Sequence, residues 1–485
     1  MMTSMFAVEQ RLSVSVPFSS DHIARLQRST TGSVLLPDHP EFEAAWQPWS
    51  IGVVHQPFVI VMAETAEDIV DAVTFARDFD LPVSVQATGH GAHVANIGGM
   101  HINTSRMTGV TIDADAQTAR VEAGAKWSHV LPEAQKFGLA PLSGSTSDVG
   151  VVGYSLGGGT GWLARKYGFA ADHILAMDVV TATGEFIRVS ADSNPDLFWA
   201  MRGGSGNFGI VTAMEFRLFP HADFFGGSVF YPLTEAPQVF AAYNEWIETL
   251  PSDVTASIAI FRFPPVPFIP EPLQGAEVIK IAAVAVCENG EELIAPMRSI
   301  TTPLMDGFAR MPFSMIDMVS GDPTDPTPVM ATSMTFEEIT PECLDEIMRI
   351  FGPGAQTPIL GMELRFIRGA AEVTDVRANA ANRVGGSFIL FAVGVPFTPE
   401  MGVALQASLA ELKAAMAPFS TGKTFLNFLE GSDSTADRTA DAFSLETYSY
   451  LARVKAKHDP TNRFRFNRNI QPDFSSMQLN WHLAR

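Results

Sequence analysis

The chain of 485 residues is short of cysteine: only Cys287 and Cys343 occur, which excludes a disulfide framework and a C-x-x-C metal pair. It is short of positive charge as well. Its 32 Lys and Arg stand against 53 Asp and Glu, and a net charge of -21 repels phosphate, so neither nucleic acid nor an anionic membrane is expected as a partner. Long apolar runs are missing: no stretch reaches the roughly 18 residues of a membrane span. The opening MMTSMFAVEQRLSVSV lacks a basic segment followed by a sustained apolar one, so no signal peptide is expected. These absences point to a protein of a reducing, cytoplasmic compartment that acts on a small molecule. What is present, 46% hydrophobic and 18% charged residues, gives ample core, and the length favours two domains over one.

Residues 1–33 read as an arm. PFVIVMA (57–63) is expected as a buried strand. TAEDIVDAVTFARDF (65–79) follows as a helix, with Thr65 and Asp68 in capping-box spacing and Ile69, Val70, Val73 and Ala76 at helical intervals. LPVSV (81–85) closes a β-α-β unit. Further on come a hairpin over 109–124, a helix over 126–138, a strand pair over 172–190 turning at Thr183-Gly184, and a glycine loop running into a strand over 202–220. After residue 220, GGSVFYPL, VTASIAIFRF, AEVIKIAAVAV, MELRFIRG, GSFILFAVGV and TFLNFLEG read as strands of an antiparallel sheet. Helical segments such as 237–249 and 400–416 lie between them. The expected class is α+β, with domains 34–220 and 221–440 and a segment 441–485 that returns to the first.

Four glycine- or asparagine-marked segments carry the chemistry. QATGHG (86–91) sits at a strand's carboxyl end, where ligands of α/β folds gather. Gly89 and Gly91 flank His90, so backbone can approach a ligand and N–H groups can form an anion nest; a tight turn with a surface histidine is the plainer alternative. A metal site of His90, His93 and His101 would lack acidic or cysteine ligands nearby. GVVGYSLGGGTGWLARKYG (150–168) is equally glycine-rich and contains Gly153-Tyr154-Ser155-Leu156-Gly157, formally a nucleophile elbow of a serine hydrolase. The glycines after Ser155 weaken the helix an elbow needs. In RGGSGNFGIV (202–211) the Asn207 amide could pair with a heterocycle or fix the loop. In DPTNRFRFNRNIQP (459–472) Asn467 and Asn469 alternate towards one side.

Taken in order and spacing, the G-H-G loop, the V-G-x-x-G-x-x-x-G-G-G run, the R-G-G-x-G-N-F-G loop and the terminal N-x-N-I-x-P resemble one family. It is the FAD-linked oxidases similar to berberine bridge enzyme, within the vanillyl-alcohol oxidase superfamily. The resemblance implies a two-domain FAD-binding fold of that type, with a substrate domain built on an antiparallel sheet. It implies a covalent bond from His90 to the flavin 8α carbon and a pyrophosphate held by Ala87, Thr88, Gly89 and Gly91. Gly144, Val149, Gly150, Gly153, Gly157 and Gly158 would lie along the cofactor, Asn207 and Val211 would contact it, with Val211 near the adenine end, and Asn467 and Asn469 near the isoalloxazine. The activity implied is hydride transfer to flavin N5 with O2 as acceptor; a dehydrogenase of the same fold is the alternative.

Departures from the family pattern are informative. Thr146 stands where many relatives carry a second flavin-linking cysteine, so a single covalent bond is expected. Val149, at the position beside the flavin C4a edge, resembles the oxygen-reactive members. Phe425 and Phe428 occupy the family's tyrosine positions and Ile389 its glutamate position, and none of the three can accept a proton. Glu363 and Arg365 lie on one face of a strand and could reach the pocket together with Phe428; a cross-strand ion pair is the duller alternative. A hydrophobic or aromatic secondary metabolite is therefore favoured over a sugar.

Overall fold

The computed structural model describes residues 16–267, 269–372, 378–381, 386–429 and 435–475. Residues 1–15 of the expected arm, Glu430 and Gly431 of the last expected strand, and residues 476–485 lie outside the described residues.

Among the described residues three sheets form. The first runs in the order Ser33–Leu35, Val59–Met62, Met100–Asn103, Val83–Gln86. Its last three strands are parallel. The helix Ala66–Asp78 joins Val59–Met62 to Val83–Gln86, and Thr65 caps it by accepting from the Asp68 N–H. The two strands of that β-α-β unit are not neighbours, because Met100–Asn103 inserts between them. The second sheet is antiparallel, in the order Val110–Asp113, Thr118–Glu122, Ile210–Arg217, Ile174–Val180, Phe186–Ser190.

The third sheet is the antiparallel one expected after residue 220. Its order is Met305–Asp306, Asp223–Pro232, Glu277–Ala285, Val254–Arg262, Gly361–Phe366, Phe388–Gly394, Met330–Phe336, with Ala309–Pro312 also on Asp223–Pro232. Period-two alternation gives it two unlike faces. One face sends Ile258, Ile260, Met362, Leu364 and Leu390 into a core with the helices Ala236–Ile247, Pro341–Phe351 and Pro399–Met416. Each such side chain contributes about 1.5–3 kcal/mol by leaving water. On the other face Lys280, Ala259, Glu363 and Phe391 stand in one register, with Ser257, Arg365 and Ile389 in the next row of the same face.

TFLNFLEG is not a strand. Leu426–Phe428 is a 3-10 turn, with Phe428 N–H donating to Phe425 O at 2.9 Å. Its apolar residues serve different clusters: Leu426 and Leu429 enter the core of the second sheet, while Phe425 joins Phe169, Ile367 and Ile389. A strand offers only two faces, and the turn separates these demands. The segment after residue 458 packs on the first sheet: the Arg463 guanidinium donates to Ala76 O and Leu81 O, and Phe464 sits in that sheet's core. Among the described residues no helix is long and apolar enough to cross a membrane.

Beside the first sheet two histidines are buried as neutral rings. The His55 Nδ1 accepts from the Asn96 N–H, and His101 Nδ1 lies 2.8 Å from Ser84 Oγ. Burial lowers His55 to about 4 and, with His55 alongside, His101 to about 3. Between these values and 6.5 the unfolded chain binds protons that the native state refuses, so stability falls as pH drops below 6.5. The expected slope is about 1.4 kcal/mol per pH unit for each ring. Thermal unfolding between pH 7.5 and 4.5 measures it, and H101N, which keeps an acceptor towards Ser84, should flatten the slope. An unchanged slope in H101N would contradict the assignment.

Candidate functional site

Strand Val83–Gln86 delivers the chain into the G-H-G loop at its carboxyl end. Gly89 adopts φ +78°, and a Cβ there would lie 2.5 Å from Pro48 Cα, so glycine is required on both counts. Residues 48–50 bracket the loop, with Trp49 N–H donating to Thr88 O at 3.0 Å. Trp49 stacks on the His90 ring (centroids 4.4 Å apart, 15° between planes) and is itself held by its indole N–H on Thr324 O. His90 Nδ1 lies 3.0 Å from Thr88 Oγ1; Nε2 is buried without a hydrogen bond, 3.9 Å from Asp148 Oδ2. Lys126 Nζ takes the other carboxylate oxygen of Asp148 at 2.6 Å. Burial lowers His90 to about 4, with Asp148 opposing and Lys126 adding, so the ring is neutral at physiological pH.

The four motifs converge on this loop. The position of a Cβ on Gly150 lies 3.5 Å from Ala87 Cβ and 3.7 Å from Thr88 Oγ1. Asn467 Nδ2 donates to Gly206 O, and Arg468 Nη1 is the contact a Cβ on Gly91 would meet, at 3.5 Å. Gly153 and Gly206 face open space, with nothing within 4 Å of an added Cβ. Asn467 Oδ1, Asn469 Oδ1 and Gln86 Oε1 are buried acceptors without a donor. A buried acceptor left unpaired costs about 1–3 kcal/mol. Open glycine backbone together with unpaired acceptors fits a bound cofactor that carries N–H groups and a pyrophosphate, as FAD does.

Other expected cofactor residues are placed differently. Asn207 is fully buried and its amide is consumed internally: it donates to Gly204 O and Arg468 O and accepts from Ile470 N–H. Of its two alternatives, the loop-fixing one holds in the structure. Val211 lies in strand Ile210–Arg217 with its side chain in the core. Val149 is half-buried against that core, and its carbonyl accepts from Trp127 N–H at 3.1 Å. A Cβ on Gly144 would lie 3.0 Å from the Tyr154 ring. Gly157 and Gly158, expected along the cofactor, have their Cα faces filled. A Cβ on Gly157 would lie 1.7 Å from Asn427 Oδ1, and one on Gly158 would lie 3.2 Å from the Phe425 ring.

The alternatives also have definite places. Ser155 is buried in the last turn of helix Val151–Leu156, and no strand leads into it, so the elbow geometry is absent. His93 meets Arg468, His101 meets Ser84, and His90 meets Trp49, so the three rings serve separate partners. Thr146 Oγ1 accepts from Asp148 N–H, while Cys343 and Cys287 belong to the third sheet's core.

Against the glycine loops stands the polar face of the third sheet. Arg365 Nε donates to Glu363 Oε2 at 2.8 Å, so the ion pair forms along one strand rather than across two. The guanidinium lies 5.0 Å from the Phe428 ring centre. Phe428 continues into Phe391 (5.1 Å) and Phe425 (5.6 Å). Burial raises Glu363, but the charge and hydrogen bond of Arg365 outweigh it and the carboxyl ends below its usual range. A cleft lined by Ser145, Thr160, Trp162, Ser257, Arg365 and Ile367 opens here.

Sequence reasoning missed Asp148, Trp49, Asn427 and Lys280. Asn427 was inside a quoted motif, and it fastens the turn to helix Val151–Leu156 by donating to Tyr154 O at 2.9 Å. Lys280 lies in an apolar strand, where a lone lysine was a signal. Burial lowers its pKa, and Nζ donates to Ser320 O.

Residues 57–190 match the family described as FAD binding domain, and residues 424–471 match the one described as Berberine and berberine like. The chain is similar to (R)-6-hydroxynicotine oxidase of Paenarthrobacter nicotinovorans, 29% identical over 470 residues, covering 92% of this chain and 98% of that one. An FAD-linked oxidoreductase of Dictyostelium discoideum is 26% identical, covering 87% and 91%. Among solved structures, 6-hydroxy-D-nicotine oxidase from Arthrobacter nicotinovorans superposes with TM-score 0.76 at 27% identity, covering 92% of this chain and 99% of that one. A chitooligosaccharide oxidase (TM-score 0.78, 18% identity, covering 93% and 99%) shares the fold. With the glycine loops, the buried acceptors and these matches together, the chain is an FAD-linked oxidoreductase that carries an FAD binding domain at residues 57–190 and a berberine-like segment at residues 424–471.

Proposed function

We propose that the chain is an oxidase acting on a hydrophobic or aromatic alcohol or amine, a secondary metabolite rather than a sugar, with O2 as final acceptor and H2O2 as product. Bound FAD supplies the hydride acceptor at N5 and the reaction with O2. His90 would hold it by one covalent bond to the 8α carbon, and the backbone of Ala87–Gly91 would hold the pyrophosphate. Residues 34–220 with 441–485 would form the cofactor half and residues 221–440 the substrate half.

The observation that carries this reading is the wall of Phe391, Phe425, Phe428 and Ile389, which pairs an apolar surface with one ion pair, Glu363–Arg365, at its edge. Such a wall orients an aromatic substrate and excludes water, and it offers no tyrosine to take a proton. A neutral amine or an activated C–H releases hydride without a dedicated base. The relative named (R)-6-hydroxynicotine oxidase supports both the oxidase reading and a small heteroaromatic amine as substrate class. Oxygen uptake and H2O2 release with aromatic amines, benzylic alcohols and free oligosaccharides test it. H2O2 is expected from the apolar amines or alcohols. Turnover only with oligosaccharides, or flavin that stays bleached in air, would contradict it.

A further inference from the structure

We infer that Asp148 is the positioning residue for cofactor attachment: it keeps the His90 proton on Nε2, leaves the Nδ1 lone pair to form the bond, and receives the Nε2 proton. This rests on the covalent attachment proposed above. Among the described residues Asp148 is the one carboxylate within 4 Å of that ring. A carboxylate only accepts, so it selects the tautomer with hydrogen on Nε2. The Thr88 hydroxyl lies 3.0 Å from Nδ1 and can donate to that nitrogen when it is unprotonated or accept from it when it is protonated. Asp148 therefore sets the tautomer, and Thr88 accommodates it from the opposite end of the ring.

The surroundings keep this arrangement in place. Trp49 fixes the ring plane by stacking, and Lys126 fixes the carboxylate through its other oxygen. The separation of 3.9 Å is beyond hydrogen-bond length, so the proton passes only once ring and carboxylate close by about 1 Å. The other charges facing the loop are cationic or neutral: Lys126, and on the Gly91 side Arg468 with its partner His93. Burial keeps His90 neutral down to about pH 4, so the Nδ1 lone pair is available at neutral pH.

The step balances. The bond from Nδ1 to C8α forms, one C8α–H bond and the Nε2–H bond break, and Asp148 takes the Nε2 proton. The electron pair of the broken C8α–H bond would pass through the ring system to O2, and the C8α proton together with the Nε2 proton, released again by Asp148, would complete H2O2.

The test uses full-length protein from riboflavin-starved cells, to which FAD is added. Bound flavin is followed by absorbance and attached flavin by fluorescence on an acidified denaturing gel. D148N is expected to bind FAD like wild type but to attach it roughly a hundredfold more slowly, as when a proton acceptor is removed. D148E should restore much of the rate, and wild-type attachment should be flat from pH 6 to 8. Flavin-loaded D148N attaching at the wild-type rate would overturn the inference while leaving the covalent bond itself intact. Histidyl-flavin released from wild type and identified by NMR needs no variant: Nδ1 substitution supports the inference and Nε2 substitution overturns it. Wild-type protein without attached flavin would remove the reading it rests on.

Discussion

H90A is expected to give protein that still takes up FAD but loses all of it on acid precipitation. The backbone of the loop does not depend on the imidazole: Gly89 is seated against Pro48, and Trp49 N–H holds Thr88 O. The variant should therefore fold and bind. Its flavin should be a weaker oxidant, because an imidazole bonded at 8α withdraws electrons from the ring. For a two-electron couple 30 mV corresponds to about 1.4 kcal/mol. A fall of roughly 60 mV would thus slow hydride transfer by up to about a hundredfold. Removing the ring also strips Trp49 of its stacking partner, a loss of about 1 kcal/mol in stability. Dye-equilibration potentials and kcat of the reconstituted variant measure these effects. A potential equal to that of the wild type would show that the bond plays no part in tuning the cofactor.

E363Q is expected to lower kcat/KM by roughly a hundredfold while leaving the flavin spectrum and its attachment unchanged, since truncating one partner of a desolvated pair costs about 2–5 kcal/mol. The reason is geometric. Arg365 Nε is bonded to Glu363 and its guanidinium overlies Phe428, so the carboxylate sets where the cation sits above the aromatic wall. With both residues removed, as in E363Q/R365M, the guanidinium that E363Q would leave unpaired is gone, and Lys280 keeps its bond to Ser320 O. Stability should then recover beyond either single variant, as is usual when both partners of a buried pair are replaced. The sign of the pH effect follows from the lowered carboxyl. Glu363 stays ionised above its depressed value, so the pair is kept through the ordinary carboxylate range and lost only at lower pH. Thermal melts of the two single variants and the double, with steady-state rates, decide it. A double variant less stable than both singles would contradict the pairing.

The parts of the fold that were legible in the sequence are those with a strong period or a strong punctuator. The alternation in VTASIAIFRF and MELRF placed two strands of the third sheet, and with them the shared face of Glu363 and Arg365. Glycine loops flagged the cofactor side because positive φ and close approach select that residue, as at Gly89. Where reading failed, tertiary demand overrode local pattern. MHIN (100–103) is a fully buried parallel strand carrying a histidine and an asparagine, and its polarity hides it. The glycine loop read from residue 202 does leave the helix there: Arg202 and Gly203 have non-helical dihedrals, with Gly203 at φ +114° beside the backbone of Ala381. The turn at Leu426–Phe428 reads as a strand because its apolar residues face several directions. Asp148 was invisible for another reason: its significance lies in the His90 and Lys126 side chains, 58 and 22 residues away along the chain, and no spacing rule links the three.

Intact-mass analysis of the denatured wild-type protein, followed by peptide mapping, tests the central claim most directly. The chain should carry the added mass of one FAD, on the peptide that contains His90 and on no other. A bare chain with all the flavin free in the supernatant, or flavin attached elsewhere, would contradict the account.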